Sequence, residues 1–226
     1  MDPKLYEAAA FERSTNSSEN LISNFDSNIA QITCGQGNTA LHIAAKCGNK
    51  LAAERILRAR PSLAYEANAK GDTPLHIAAR SEHPEIAALL LERYEGSSLP
   101  AAVLEAGGAN PLHAVNNARD TALHEAVRNG RFRIAKMLIE KDRSLAGFRN
   151  AAGESPVFVA VDRGYFDTAR CVLETFPHCS VFGRNGMTVM HAAIIRNEVG
   201  KLFFLSSLIF YLFFIFLIST RFNSDM

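Results

Sequence analysis

The chain has 226 residues, with 24 Lys and Arg against 23 Asp and Glu, a formal net charge of +1 and a mean hydropathy of −0.00. Near-neutral charge argues against a nucleic-acid binder working through a basic face, and 48% apolar residues against disorder throughout. Both averages conceal a division, because Leu202 to Ile218 holds no charged residue while the first 200 residues carry equal numbers of acids and bases.

No apolar stretch follows Met1-Asp2-Pro3, so no cleavable secretory signal is expected. Cys34, Cys47, Cys171 and Cys179 are then expected to be reduced cytosolic thiols. Leu5-Tyr-Glu-Ala-Ala9 echoes Leu41-His-Ile-Ala-Ala45 and predicts a degenerate terminal cap over 1–36. Within it, the Ser- and Asn-rich run Glu12 to Asn24 reads as a loop with a short helix.

From residue 37 the chain repeats itself. Gly37-Asn-Thr-Ala-Leu-His42-Ile-Ala-Ala45 returns as Gly71-Asp-Thr-Pro-Leu-His76-Ile-Ala-Ala79 and as Asp120-Thr-Ala-Leu-His124-Glu-Ala126. Weaker copies are Gly153-Glu-Ser-Pro-Val-Phe158-Val-Ala160 and Gly186-Met-Thr-Val-Met-His191-Ala-Ala193. The intervals are 34, 48, 34 and 33 residues, the longest holding an insertion between Glu95 and Ala118. Repeats therefore start near 37, 71, 120, 153 and 186, and the array occupies 1–200.

Each repeated position has a physical task. Thr39, Thr73, Thr121, Ser155 and Thr188 place a hydroxyl where a helix N-cap needs one. Pro74 and Pro156 follow at the first helical position, where a missing N–H costs nothing. The Ala pairs allow close helix approach, and Gly48, Gly130 and Gly164 end the first helices in left-handed conformation. Second helices follow with helical apolar spacing, as in Ile134-Met137-Leu138. Between units, Asn68 to Asp72, Asn150 to Glu154 and Arg184 to Gly186 place Gly where a hairpin turn wants positive φ. The third unit has Arg119 at that position, which predicts a strained turn.

This pattern resembles the ankyrin repeat, whose signature is T-P-L-H-x-A at a period near 33. The resemblance covers residues 1 to about 200 and implies an all-α repeat solenoid of helix-turn-helix units joined by β-hairpin turns, here followed by an apolar C-terminal helix. The opening Met1-Asp-Pro-Lys-Leu-Tyr-Glu-Ala-Ala9 and Asp120-Thr-Ala-Leu-His-Glu-Ala-Val-Arg-Asn-Gly130 are further similar to the plant accelerated-cell-death type of ankyrin/transmembrane family. That resemblance implies a cytosolic array attached to a membrane, working in stress and defence signalling.

Catalytic and metal readings find little support. His42, His76, His124 and His191 fall one per repeat, about 10 Å apart in a helix stack, too far to share an ion. Phe158 at the same position in the fourth unit fits a structural task, in which each imidazole bonds a neighbouring turn. Cys171, His178 and Cys179 lack a C-x2-C or H-x3-H partner. Gly35-Gln-Gly37-Asn-Thr-Ala40 mimics a dinucleotide fingerprint, yet no acidic strand end follows it. No P-loop, G-x-S-x-G or H-E-x-x-H is present, so neither enzymatic activity nor a cofactor is expected. What remains is protein binding through the concave face and the turn tips Gln36, Asn38, Lys70, Asp72, Arg119, Arg149, Glu154, Arg184 and Asn185. The apolar half of the insertion, Leu99 to Leu104, either docks a partner or packs on its own repeat.

The tail, 201–226, has two readings. Leu202 to Ile218 is 17 residues, extended by Ser219 and Thr220 into a candidate transmembrane helix over 202–220. Arg196 and Lys201 before it favour a cytosolic array and a tail-anchored chain. Alternatively, Gly200-Lys-Leu is encodable through a GTAAGT splice donor, and T-rich noncoding DNA translates into Phe, Leu and Ile, which makes 201–226 intron read-through. The chain would then be a truncated interaction module with no true membrane span, in which Leu202 to Leu205 improvise a second helix.

Overall fold

A computed structural model describes residues 9–10, 36–96, 110–177 and 179–196. Nine α-helices stand among the described residues. They are α1 Ala40–Cys47, α2 Lys50–Ala59, α3 Pro74–Arg80, α4 Pro84–Gly96, α5 Ala122–Arg128, α6 Phe132–Lys141, α7 Pro156–Arg163, α8 Phe166–Thr175 and α9 Val189–Ile195. The first helices α1, α3, α5, α7 and α9 pack in one layer and the second helices α2, α4, α6 and α8 in another.

Local chemistry sets these boundaries. Thr39, Thr73, Thr121, Ser155 and Thr188 are extended N-caps. Gly48 and Gly164 cap α1 and α7 with φ of 74° and 83°. Gly130, at φ 68°, lies one residue past the cap of α5, and a Cβ there would stand 2.7 Å from the Tyr165 ring. The helices are short, so tertiary burial rather than helix propensity holds them. Ala44, Ala45, Ala78, Ala79, Ala126, Ala160, Ala192 and Ala193 are all buried, and the layer spacing depends on their small size. Each second helix buries one stripe, for example Ile134, Ala135, Leu138 and Ile139 of α6.

Two connectors were not anticipated. After α2 and α6 the chain forms short 3-10 turns, Pro61–Ala64 and Arg143–Gly147, which bury Leu63, Ala64, Leu145 and Ala146. The end of the predicted insertion is also part of the stack. Pro111–His113 forms a third such turn with Leu112 buried, and His113 Nε2 lies 2.7 Å from Asp142 Oδ2 in the next connector.

The expected β-hairpins take a different form. Among the described residues the one β contact is an isolated antiparallel bridge between Phe182 and Thr188. The bridged turn carries two backbone bonds, Gly183 N–H to the Met187 carbonyl at 2.8 Å and Val189 N–H to the Val181 carbonyl at 3.0 Å; the turn at Asn68 keeps the first kind, to the Asp72 carbonyl at 2.9 Å, and side chains complete its closure. Cys47, Cys171 and Cys179 are free thiols. Of the cap predicted over 1–36, Ala9 and Ala10 are described and both are buried. Residues 97–109, which include the apolar half of the insertion, lie outside the described residues, as do Cys34, His178 and the tail 201–226 with its candidate span 202–220. No helix among the described residues is long and apolar enough to cross a membrane. The last helix, α9, buries Val189, Ala192 and Ala193 but leaves Ile194 59% and Ile195 72% exposed.

Candidate interaction surface

Three turns share one construction. Asn68 Oδ1 accepts from the N–H groups of Lys70 and Asp72, at 2.9 and 3.0 Å. Asn116 Oδ1 does the same for Ala118 and Asp120, and Asn150 Oδ1 for Ala152 and Glu154. The other end of each amide reaches back one unit. Asn68 Nδ2 donates to Asn38 Oδ1, Asn116 Nδ2 to Asp72 Oδ1 and Asn150 Nδ2 to Asp120 Oδ1, all at 2.8–2.9 Å. One side chain thus shapes its own turn and ties it to the preceding one. Sequence reasoning did not single these amides out, although they recur at the same intervals as His76, His124 and Phe158.

The motif histidines form a second set of ties. Nε2 of His42, His76 and His124 lies 2.8, 3.0 and 3.1 Å from the carbonyl oxygens of Asp72, Asp120 and Glu154 in the following turn. A carbonyl only accepts, so Nε2 carries the proton. Nδ1 then accepts from the N-cap, as with the Thr121 N–H at 3.2 Å and the Thr121 hydroxyl at 2.9 Å. The geometry requires neutral imidazole. Burial pushes all three side chains below their usual pKa, His124 to about 4, despite the nearby Asp120 and Glu154 carboxylates. His191 makes the same contacts with Thr188 but is exposed, without a following turn among the described residues.

The fourth unit solves the same problem differently. Phe158 cannot accept from its cap, so the Ser155 N–H donates instead to the Phe182 carbonyl at 3.0 Å. Gly183 occupies the turn position that corresponds to Asn150, and a Cβ there would stand 2.2 Å from the Phe158 ring. The larger ring fits because the opposing residue lacks a side chain.

A charge ladder runs through these turns. Arg80 bonds Asp72 and Glu125, both at 3.0 Å. Arg128 grips Asp120 with two bonds, of 2.6 and 2.9 Å, and lies 3.5 Å from Glu125 and 3.9 Å from Glu154. Arg184 bonds Glu154 at 2.8 Å and Asp162 at 3.0 Å. Burial alone would raise the Asp120 carboxyl, but hydrogen bonds from Arg128 and Asn150 outweigh it and hold the group below its usual range.

The nine turn residues singled out from sequence divide accordingly. Asp72 is 1% exposed and Glu154 is turned inward, both inside the ladder. Arg184 is committed to Glu154 and Asp162, and Asn38 is half-buried against Asn68. Gln36, Lys70, Arg119, Arg149 and Asn185 face solvent. Asp72 and Asp120 are drawn inward by the Arg at the end of their own first helix, Arg80 and Arg128, whereas Glu154 is held by Arg184 of the following turn.

Elsewhere, a groove of about 660 Å³ between α6 and α8 is edged by Phe132, Tyr165, Lys136 and Cys171. Among the described residues no three His, Cys, Asp or Glu side chains gather as metal ligands would.

Comparison with known proteins agrees with this architecture. Residues 5–102 match the family model for ankyrin repeats in three copies, and residues 118–146 match the model for the ankyrin repeat. The chain is 28% identical over 147 residues to Protein ACCELERATED CELL DEATH 6 of Arabidopsis thaliana, covering 64% of this chain and 22% of that protein. It is 29% identical over 167 residues to Inversin of Canis lupus familiaris, covering 71% of this chain and 14% of the relative. With Inversin of Mus musculus the identity is 29% over 162 residues, 69% of this chain and 14% of the relative. The chain spans 22% or less of the length of these relatives.

Proposed function

The chain belongs to the ankyrin-repeat family, and from that premise we propose that it is a non-enzymatic scaffold for other proteins, attached to a membrane and serving plant stress or defence signalling. The observation that carries the scaffold reading is the division of labour within each turn. Asn68, Asp72, Asn116, Asp120, Asn150 and Glu154 are buried or inward and hold the stack. Lys70, Arg119 and Arg149 project from the same turns into solvent. A row of outward side chains on a rigid support suits recognition of an extended partner surface. Nucleic acid is not among the proposed partners, since the first 200 residues carry no net charge.

The signalling context is supported by likeness to the Arabidopsis protein named for accelerated cell death. Membrane attachment is supported by the uncharged run Leu202 to Ile218, which as a helix would reach about 26 Å, enough for a thin bilayer. Its alternative is an interaction module with no membrane span. Alkaline carbonate extraction of the full chain separates these: retention in the pellet is expected, and release into the supernatant overturns the membrane half. Co-purification tests the scaffold half. Capture of the same partner should be lost when Lys70, Arg119 and Arg149 are changed to Ala in a variant whose circular dichroism remains that of the folded array; undiminished capture refutes this surface.

A further inference from the structure

We propose that the row of turns is a docking line for an extended, acidic protein segment, with Arg119 at its centre. This rests on the scaffold reading and adds the chemistry of the partner. In the three turns that end at Asp72, Asp120 and Glu154, every carboxylate is turned into the stack, while Lys70, Arg119 and, just before the third turn, Arg149 are exposed. A chain of near-zero net charge thereby acquires a cationic edge.

The edge is continuous. The Asn117 N–H donates to the Lys70 carbonyl at 2.9 Å, and the Ala151 N–H to the Ala118 carbonyl at 2.8 Å, so successive tips are in direct contact. Their spacing follows that of the packed helices behind them, about 10 Å. A polyproline II segment advances about 9 Å per three-residue turn. Such a segment with a carboxylate at every third residue brings one acid to each successive turn, where the long side chains of Lys70, Arg119 and Arg149 reach it from different turn positions. Three cations are fewer than the six or more phosphate contacts typical of a nucleic-acid binder, which favours an acidic protein over a polynucleotide.

Arg119 carries the proposal furthest. Its φ is 57°, in the left-handed region, where the corresponding residues Gly71, Gly153 and Gly186 have φ of 75°, 77° and 71°. A residue with a Cβ is disfavoured there, and Asn116 holds it in place by accepting the Arg119 N–H at 2.8 Å. Among the described residues its guanidinium has no ion pair or hydrogen bond, and it is exposed. The strain thus obtains no compensation from the described fold, and an outside partner accounts for it. Arg149 is already oriented, with Nε donating to Ser180 Oγ at 2.8 Å and the guanidinium 4.8 Å from the Phe182 ring centre.

The test is fluorescence anisotropy of the full chain with labelled peptides that carry Glu, Gln or Lys at every third position of a Pro-rich background, and with single-stranded DNA. The Glu peptide should bind, more weakly as salt rises, and the other probes should not. Arg119→Gly should weaken Glu-peptide binding about fivefold while leaving the melting midpoint level or higher. Equal binding by the variant, equal binding of the Gln peptide, preference for DNA, or binding of no probe each overturns the proposal. The scaffold reading survives those results if partner capture still depends on the turns, and falls if capture does not.

Discussion

Lowering the pH from 7 to 5 should destabilise the array by about 2 kcal/mol through His124 alone. His124 is fully buried, with Nε2 bonded to the Glu154 carbonyl and Nδ1 accepting from Thr121, and burial holds its pKa at about 4 against an ordinary 6.5. A depressed folded pKa contributes stability that is complete above the unfolded value and is lost as pH falls from 6.5 toward 4. At pH 5 an unfolded imidazole is protonated about thirtyfold over its neutral form while the folded one stays largely neutral, which gives the figure above. His42 and His76, lowered for the same reason, add to the loss in the same window. Asp120, held below its usual 3.8, contributes only at lower pH. Urea unfolding followed by circular dichroism across this range measures the effect, and its slope near pH 5 should report the uptake of about one proton by His124, with a further contribution from His42 and His76. His124→Leu should reduce that count by about one. A free energy that is flat or rising from pH 7 to 5 would refute neutral imidazole as the tie between units.

Other perturbations probe separate features. Gly130→Ala should cost about 1–2 kcal/mol for the left-handed backbone alone, with more from contact with Tyr165, read as a lower urea midpoint. Gly183→Ala, at an ordinary φ, should cost about 1–3 kcal/mol by overpacking against Phe158. Phe158→Leu should relieve part of that, so a double-mutant cycle should show clear non-additivity. Arg128→Ala should cost about 3 kcal/mol in equilibrium unfolding, because Asp120 stays buried without its ion-pair partner.

Positions that recur at a fixed interval were legible before any coordinates. Thr39 and His42, with their counterparts, announced both the caps and the unit length, and Arg119 announced its strain because its counterparts are Gly. Asp72 and Glu154 were less legible. A carboxylate in a turn reads as solvated until its Arg is placed; Arg80 lies a full helix beyond Asp72, and Arg184 a full unit beyond Glu154. The pairing of Phe158 with Gly183 was hidden for a related reason, since neither residue signals the other until the fourth and fifth units are packed. The buried 3-10 turns went unread because four or five residues are too few to display a periodicity.

The sorting of side chains in the turns also bears on how such a molecule changes over generations. The amides, carboxylates and imidazoles that join one unit to the next are different residues from Lys70, Arg119 and Arg149, which the turns hold out to solvent. Substitution of the Lys70 or Arg119 side chain leaves the amide, imidazole and carboxylate ties in place, whereas Arg149 also gives up its bond to Ser180. Affinity can therefore drift, sharpen or switch sign of charge with almost no penalty in folding. At Arg119 the two requirements are opposed, since a change to Gly would relax the backbone and erase the cation together. Arg119 is thus the one outer position at which backbone relief and surface charge cannot both be kept.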